Sequence, residues 1–163
     1  MALPTSTDPA EHLDDPRIEA YGMLIEAHNE LHNALQRNLD AQAGVPLGWL
    51  GVLIRLARSP DSRLRMTVLA RDMTMSTSGL TRLIDRMEAD GVVQRQACPE
   101  DRRGMLAVLT EQGRALLASS APCHVRDLEH LLGGALDERE LHELTGLLRR
   151  VRDHVREVGP PPG

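Results

Sequence analysis

Thr77, Ser78, Thr81, Arg82 and Arg86 follow a capping hydroxyl at Ser76 and repeat at four-residue steps. That spacing stacks side chains on one face of an α-helix. A hydroxyl donates and accepts single hydrogen bonds, whereas a guanidinium grips two acceptors at once. The set therefore suits phosphate oxygens and the O6/N7 edge of guanine. Arg82 and Arg86 stand one turn apart, and Asp85 between them is placed to orient one of the two. Gly79, costly inside a helix by about 1 kcal/mol, leaves the backbone room for close approach or is simply tolerated.

A second concentration of charge lies in the stretch CPEDRRG, where Asp101, Arg102 and Arg103 sit at a polar turn and Arg95 precedes them near its base. Arginines at such a tip either solvate the turn or reach for an anion; Arg95 is expected to brace the turn's strands. His28 and His32, four residues apart, have metal-ligand spacing on a helix. No third and fourth ligand matches them, so they read as packed or interfacial histidines, and no metal or cofactor is expected. Cys98 neighbours arginines that could lower its thiol pKa and make it peroxide-sensitive. No G-x-S-x-G, H-E-x-x-H, P-loop or dinucleotide fingerprint occurs, so the chain is not expected to be an enzyme.

These groups need a scaffold, and the apolar spacing supplies one. Residues 1–16, with three prolines and scattered acids, are expected to form a flexible N-terminus, as is the tail from 159 to 163. Ile18, Tyr21, Leu24, Ile25, Leu31 and Leu35 mark a long helix stopped by Gly44 and Pro46, and a second helix is expected over Leu47–Arg58. Met66, Leu69, Ala70 and Met73 then form a short apolar face. After the cap at Ser76 comes a buried stripe of Leu80, Leu83, Ile84 and Met87, ended by Gly91. Two short helices around a tight polar turn make a helix-turn-helix pattern. Val92–Gln96 and Met105–Leu109 alternate as the arms of a β-hairpin. Thr110 caps a further helix reaching about Leu132, which Pro122 is expected to kink or divide. Asp137 opens a last amphipathic helix.

The fold class is therefore mainly α with a small β-hairpin wing (α+β). The apolar stripes of the first and last helices exceed what a thin reading core can cover, which points to a homodimer. The 163-residue chain carries a net charge of -5, yet Gly51–Arg114 holds 11 arginines against 8 acids and the remainder 8 against 16. A mildly basic middle between acidic ends suits a nucleic-acid-facing module. With no Phe, one Tyr and one Trp, stacking on single strands or RNA is disfavoured. The polar N-terminus and the lack of a long apolar run imply a cytoplasmic protein without a membrane partner. Two cysteines are too few for a disulfide framework.

The blocks VLARDMTMSTSGLTRLIDRMEADGVVQR and PEDRRGMLAVLTEQGRALL, in this order of elements, resemble the MarR family of winged helix-turn-helix transcription regulators. The resemblance implies a DNA-binding region over 47–114 between helical dimerisation segments at 17–46 and 115–158. The implied function is a ligand-responsive, homodimeric repressor of a pseudopalindromic double-stranded DNA operator. It implies that Arg103 enters the minor groove and Asp101 aligns it, while Arg102 meets phosphate. It also implies a crevice for a phenolic or other aromatic inducer, with His28, His32 and Trp49 as its candidates. Peroxide-sensing relatives carry a cysteine in the first helix, which this chain lacks. The competing readings are a winged-helix protein–protein module, slightly favoured by the net acidity, and a redox- or metal-sensing regulator of the same fold.

Overall fold

A computed structural model describes residues 13–99 and 101–159, the side chains of Arg102 and Arg103 excepted. Most of the N-terminal segment and residues 160–163 of the tail thus lie outside the described residues. Helix α1 (Pro16–Ala43) opens where the Asp15 carboxylate accepts the Arg17 amide at 2.8 Å, and ends at Gly44 with φ 61°. That left-handed angle suits a residue without Cβ. Helix α2 spans Leu47–Arg58, as its spacing predicts, and buries Leu50, Val52, Leu53 and Leu56.

A single 3₁₀ turn at Pro60–Ser62 leads into strand β1 (Arg63–Arg65), which lies against β3 (Asp101–Leu109). With β2 (Val93–Cys98), the hairpin becomes a three-stranded antiparallel sheet ordered β1-β3-β2. A three-residue strand has too short a pattern to be read by periodicity. Helices α3 (Met66–Asp72) and α4 (Thr77–Ala89) follow, joined by a turn in which Thr74 adopts φ 53° and the Met75 amide returns to the Ala70 carbonyl at 2.9 Å.

Helix α5 (Glu111–Leu128) runs unbroken through Pro122. Pro122 removes the donor that would meet the Ala118 carbonyl, and Ala118 lies on the exposed side. A π-helical turn at Glu129–Gly133 ends this arm, and α6 (Glu138–Val158) starts with a capping box in which Asp137 and Glu140 exchange side-chain and backbone hydrogen bonds. No helix among the described residues is long and apolar enough to cross a membrane.

The core lies under α3 and α4. Val52, Leu53, Leu56, Leu69, Leu80, Ile84, Met87, Val93 and Ala107 are buried together, with Leu116 and Leu117 of α5 packed against them. Each fully buried aliphatic side chain contributes about 2 kcal/mol. By contrast α6 buries none of its residues within the chain, and Leu144, Leu147, Leu148, Val151 and Val155 all face outward. The first half of α1 behaves likewise, with Tyr21 66% exposed beside Ile18, Leu24 and Ile25.

One close approach joins the helical arm to the core. The α5 backbone at Gly113 passes so near the sheet that a Cβ there would stand 2.0 Å from the Val92 carbonyl oxygen and 2.7 Å from Leu109 Cδ1. Gly113→Ala is expected to cost about 3 kcal/mol by forcing this joint apart. Urea denaturation measures it, and an unchanged midpoint would show that the joint yields freely.

Candidate nucleic-acid interface

Helix α4 carries its polar and apolar residues on opposite sides. Leu80, Leu83, Ile84 and Met87 are buried, while Thr77, Ser78, Thr81, Arg82, Asp85 and Arg86 are exposed. Ser76 caps the helix as its sequence predicts, its hydroxyl accepting the Gly79 amide at 3.1 Å. A Cβ at Gly79 would lie 3.1 Å from that same hydroxyl oxygen, so the glycine keeps space for the cap. The Thr81 hydroxyl donates to the Thr77 carbonyl at 2.8 Å, and the Ser76 and Ser78 hydroxyls pair at 3.3 Å. Among the described residues, Arg82 and Arg86 have neither a hydrogen-bond nor an ion-pair partner.

Asp85 does not orient either of them. Its carboxylate lies 2.6 Å from Arg95, which rises from β2 beneath the helix. Arg95 also donates to the Glu88 carboxylate at 2.7 Å and to the Thr81 carbonyl at 3.0 Å, while its backbone amide donates to Glu88 at 2.7 Å. Asp85 and Glu88 are three residues apart and so share a face with each other. That face meets the sheet edge, which the sequence pattern alone does not reveal. Burial opposes the charge of Arg95, and the hydrogen bonds it donates to Asp85 and Glu88 outweigh that, holding the guanidinium above its ordinary pKa. The brace expected of Arg95 is therefore a clamp between strand and recognition helix.

At the wing, a bulge between Ala97 and Cys98 precedes the tip, and Cys98 pairs in register with Asp101. Asp101 accepts from Arg65 of β1 at 3.2 Å. Sequence reasoning missed Arg65 because β1 itself was not foreseen. Arg102 and Arg103 belong to β3, but their side chains lie outside the described residues.

The three residues expected at one inducer crevice do not meet. His28 and His32 stand with ring centroids 5.7 Å apart and line a groove of about 770 Å3 with Leu24, Arg55, Asp72 and Met73. Trp49 lines a different cavity of about 470 Å3, between Val45, Asp90, Val92, Gln112 and Leu116. The α2 helix carries Gly48 toward one and its neighbour Trp49 toward the other, a split of adjacent residues that spacing cannot resolve.

The sensing alternatives gain little. Cys123 lies by Gln42, with Sγ 3.3 Å from Oε1, roughly 21 Å along α1 from His28 at 1.5 Å per residue. Burial and then Asp127 raise its thiol pKa, with Arg126 opposing, so the thiolate a sensor needs is disfavoured. Cys98 is buried. His124, next to Cys123, is pushed down by burial, with Asp127 opposing, and among the described residues its buried Nδ1 has no partner. Among the described residues, no three His, Cys, Asp or Glu side chains converge as a metal site would require.

The sequence model of the MarR family matches residues 43–104. The HTH-type transcriptional repressor NicR of Pseudomonas putida is 35% identical over 156 residues, covering 94% of this chain and 96% of its own. The crystal structure of Sco3205, a MarR family transcriptional regulator from Streptomyces coelicolor, in complex with DNA has a TM-score of 0.77. It is 34% identical and spans 88% of this chain and 93% of that one. Bordetella bronchiseptica BpsR, whose DNA binding is regulated by 6-hydroxynicotinic acid, shares the fold at a TM-score of 0.70. There the identity is 20%, over 82% of this chain and 98% of that one.

Replacing Arg95 by Met removes the clamp and leaves two carboxylates facing each other. The expected loss is about 2 kcal/mol of folding stability, read as a lowered urea midpoint. A variant as stable as the parent would mean that the clamp is ornamental.

Proposed function

The chain belongs to the MarR family of transcriptional regulators, and from that footing we propose that it is a homodimeric, ligand-responsive repressor of a pseudopalindromic operator, working in the cytoplasm. DNA-binding transcription regulation is its function; the residues and the inducer are the proposal. The observation that carries it is the face of α4, where Thr77, Ser78, Thr81, Arg82 and Arg86 are exposed on a helix whose other side is fully engaged in the core.

In this reading α4 enters the major groove, capped by Ser76, and Arg82 and Arg86 make bidentate contacts to guanine or to phosphate. The wing enters the adjacent minor groove, whose narrow form concentrates negative potential and accepts Arg103, with Asp101 beside it and Arg102 on phosphate. Residues 47–114 then read DNA, while 17–46 and 115–158 pair two copies. The outward apolar residues of α1 and α6 support that pairing, since exposed apolar stripes of this kind mark an association surface. Two-fold symmetry sets the half-sites about one helical turn apart.

An inducer acts by fitting one spacing of the two reading heads better than the other. Both cavities suit a small aromatic or phenolic molecule, the first through His28 and His32, the second through Trp49. The BpsR fold offers a parallel only at the level of architecture.

Selection of bound sequences from random double-stranded DNA is expected to yield a two-fold symmetric site. At fixed salt, Arg103→Ala should bind it at least tenfold more weakly than the parent while melting at the same temperature. Recovery of sequences with no symmetry, or equal affinity in gel shift, would count against the reading. Trp49 is the single tryptophan, so its emission reports on its own cavity. Titration with salicylate and related phenols should quench it saturably if that cavity binds the inducer. Release of operator without quenching assigns binding to the histidine groove; neither effect with any aromatic acid or phenol removes the ligand from the proposal.

A further inference from the structure

A protein that reads a major groove with one element and the next minor groove with another must straddle the sugar-phosphate strand between them. Here the space between α4 and the wing is a cleft of about 400 Å3, lined by Arg65, Thr67, Thr77, Thr81, Arg95 and Asp101 among others. Two of these groups are already spent. Arg95 is held by Asp85, Glu88 and the Thr81 carbonyl, and the Thr81 hydroxyl donates to the Thr77 carbonyl. Thr67 and Thr77 are exposed, and among the described residues neither hydroxyl has a hydrogen-bond partner.

Arg65 is the second guanidinium of this cleft. It is the last residue of β1, paired across from Leu106 of β3, and it forms the N-cap of α3. Its guanidinium thus springs from a backbone fixed by sheet and helix together. Its side chain is 40% exposed and bonds Asp101 at 3.2 Å. A guanidinium has five N–H donors in a planar fork, so one edge can hold a carboxylate while another meets a phosphate oxygen.

We propose that Arg65, with the hydroxyls of Thr67 and Thr77, seats a backbone phosphate of the DNA strand that passes between α4 and the wing. Asp101 then fixes Arg65 toward that phosphate, in addition to its place at the wing tip. The seat carries no base information; it sets the depth at which α4 lies in the groove. This inference rests on the DNA-binding reading of α4 and the wing.

The test is the salt dependence of binding by the full chain to its selected operator. Neutralising one phosphate releases its condensed counterions, so each such contact adds about 0.9 to the slope of log K against log salt. Arg65→Gln should reduce the slope by about that amount for each protomer engaged, and weaken selected and unrelated sequences several-fold alike. Arg65→Lys should restore the slope. Thr67→Val should lower affinity on all sequences with the slope unchanged. An Arg65→Gln variant that loses affinity but keeps the parent slope would assign Arg65 a merely structural role and overturn the proposal. Unchanged affinity would overturn it too. If the parent itself binds no DNA, the reading beneath it fails along with it.

Discussion

A single guanidinium sets the angle between α4 and the sheet. Arg95 leaves the sheet at β2 and ends on three acceptors of α4, the carboxylates of Asp85 and Glu88 and the carbonyl of Thr81. Its backbone amide adds a fourth bond to Glu88. With its side chain 20% exposed, the group is screened less than a surface pair, so its bonds count for more than the 0–1 kcal/mol of an open ion pair. A helix and a strand joined in this way cannot rotate against each other without leaving charges unpaired. The β2–β3 hairpin and α4 are therefore held as one piece.

The unit of α4 and the hairpin is joined to α5 at a second point. Gly91, at φ 72°, turns the chain from α4 into β2, and its carbonyl accepts from the Thr110 hydroxyl at 2.7 Å. The same hydroxyl oxygen accepts the Gly113 amide at 3.0 Å and caps α5. Gln112 reaches back to the Asp90 carbonyl at 2.9 Å, and Arg114 donates to the buried Ser62 hydroxyl at 2.7 Å. Thr110 and Gln112 thus tie the start of α5 to the turn that follows α4, and Arg114 ties it to the 3₁₀ turn after α2. A change in the tilt of α5 has a short path to the exposed side chains of α4.

What the sequence revealed follows from where the physics is local. The bounds of α2, the cap at Ser76, the stripe of Leu80, Leu83, Ile84 and Met87, and the cap at Asp137 are visible because each depends on residues within one or two turns. The exposure of Thr77, Ser78, Thr81, Arg82 and Arg86 follows from that stripe. The partner of Asp85 was not visible, because Arg95 lies ten residues on and reaches it only through a fold that turns β2 under α4. Strand β1 has no period of its own and exists through its pairing with β3. Trp49 and the two histidines were placed in one crevice by resemblance; packing sends the tryptophan to the α5 side of α2 and the histidines to the other. Pro122 looked like a breaker, yet a helix tolerates the loss of one hydrogen bond on its open side.

The division of labour within α4 has an evolutionary consequence. The acids that hold the fold, Asp85 and Glu88, are bonded to Arg95, whereas the side chains of Arg82 and Arg86 bond to nothing among the described residues. Substitutions at these two positions therefore pass with little penalty to folding, while changes at the clamp do not. Duplicated copies of such a gene can therefore vary this surface one exposed residue at a time, on a scaffold that stays still beneath it.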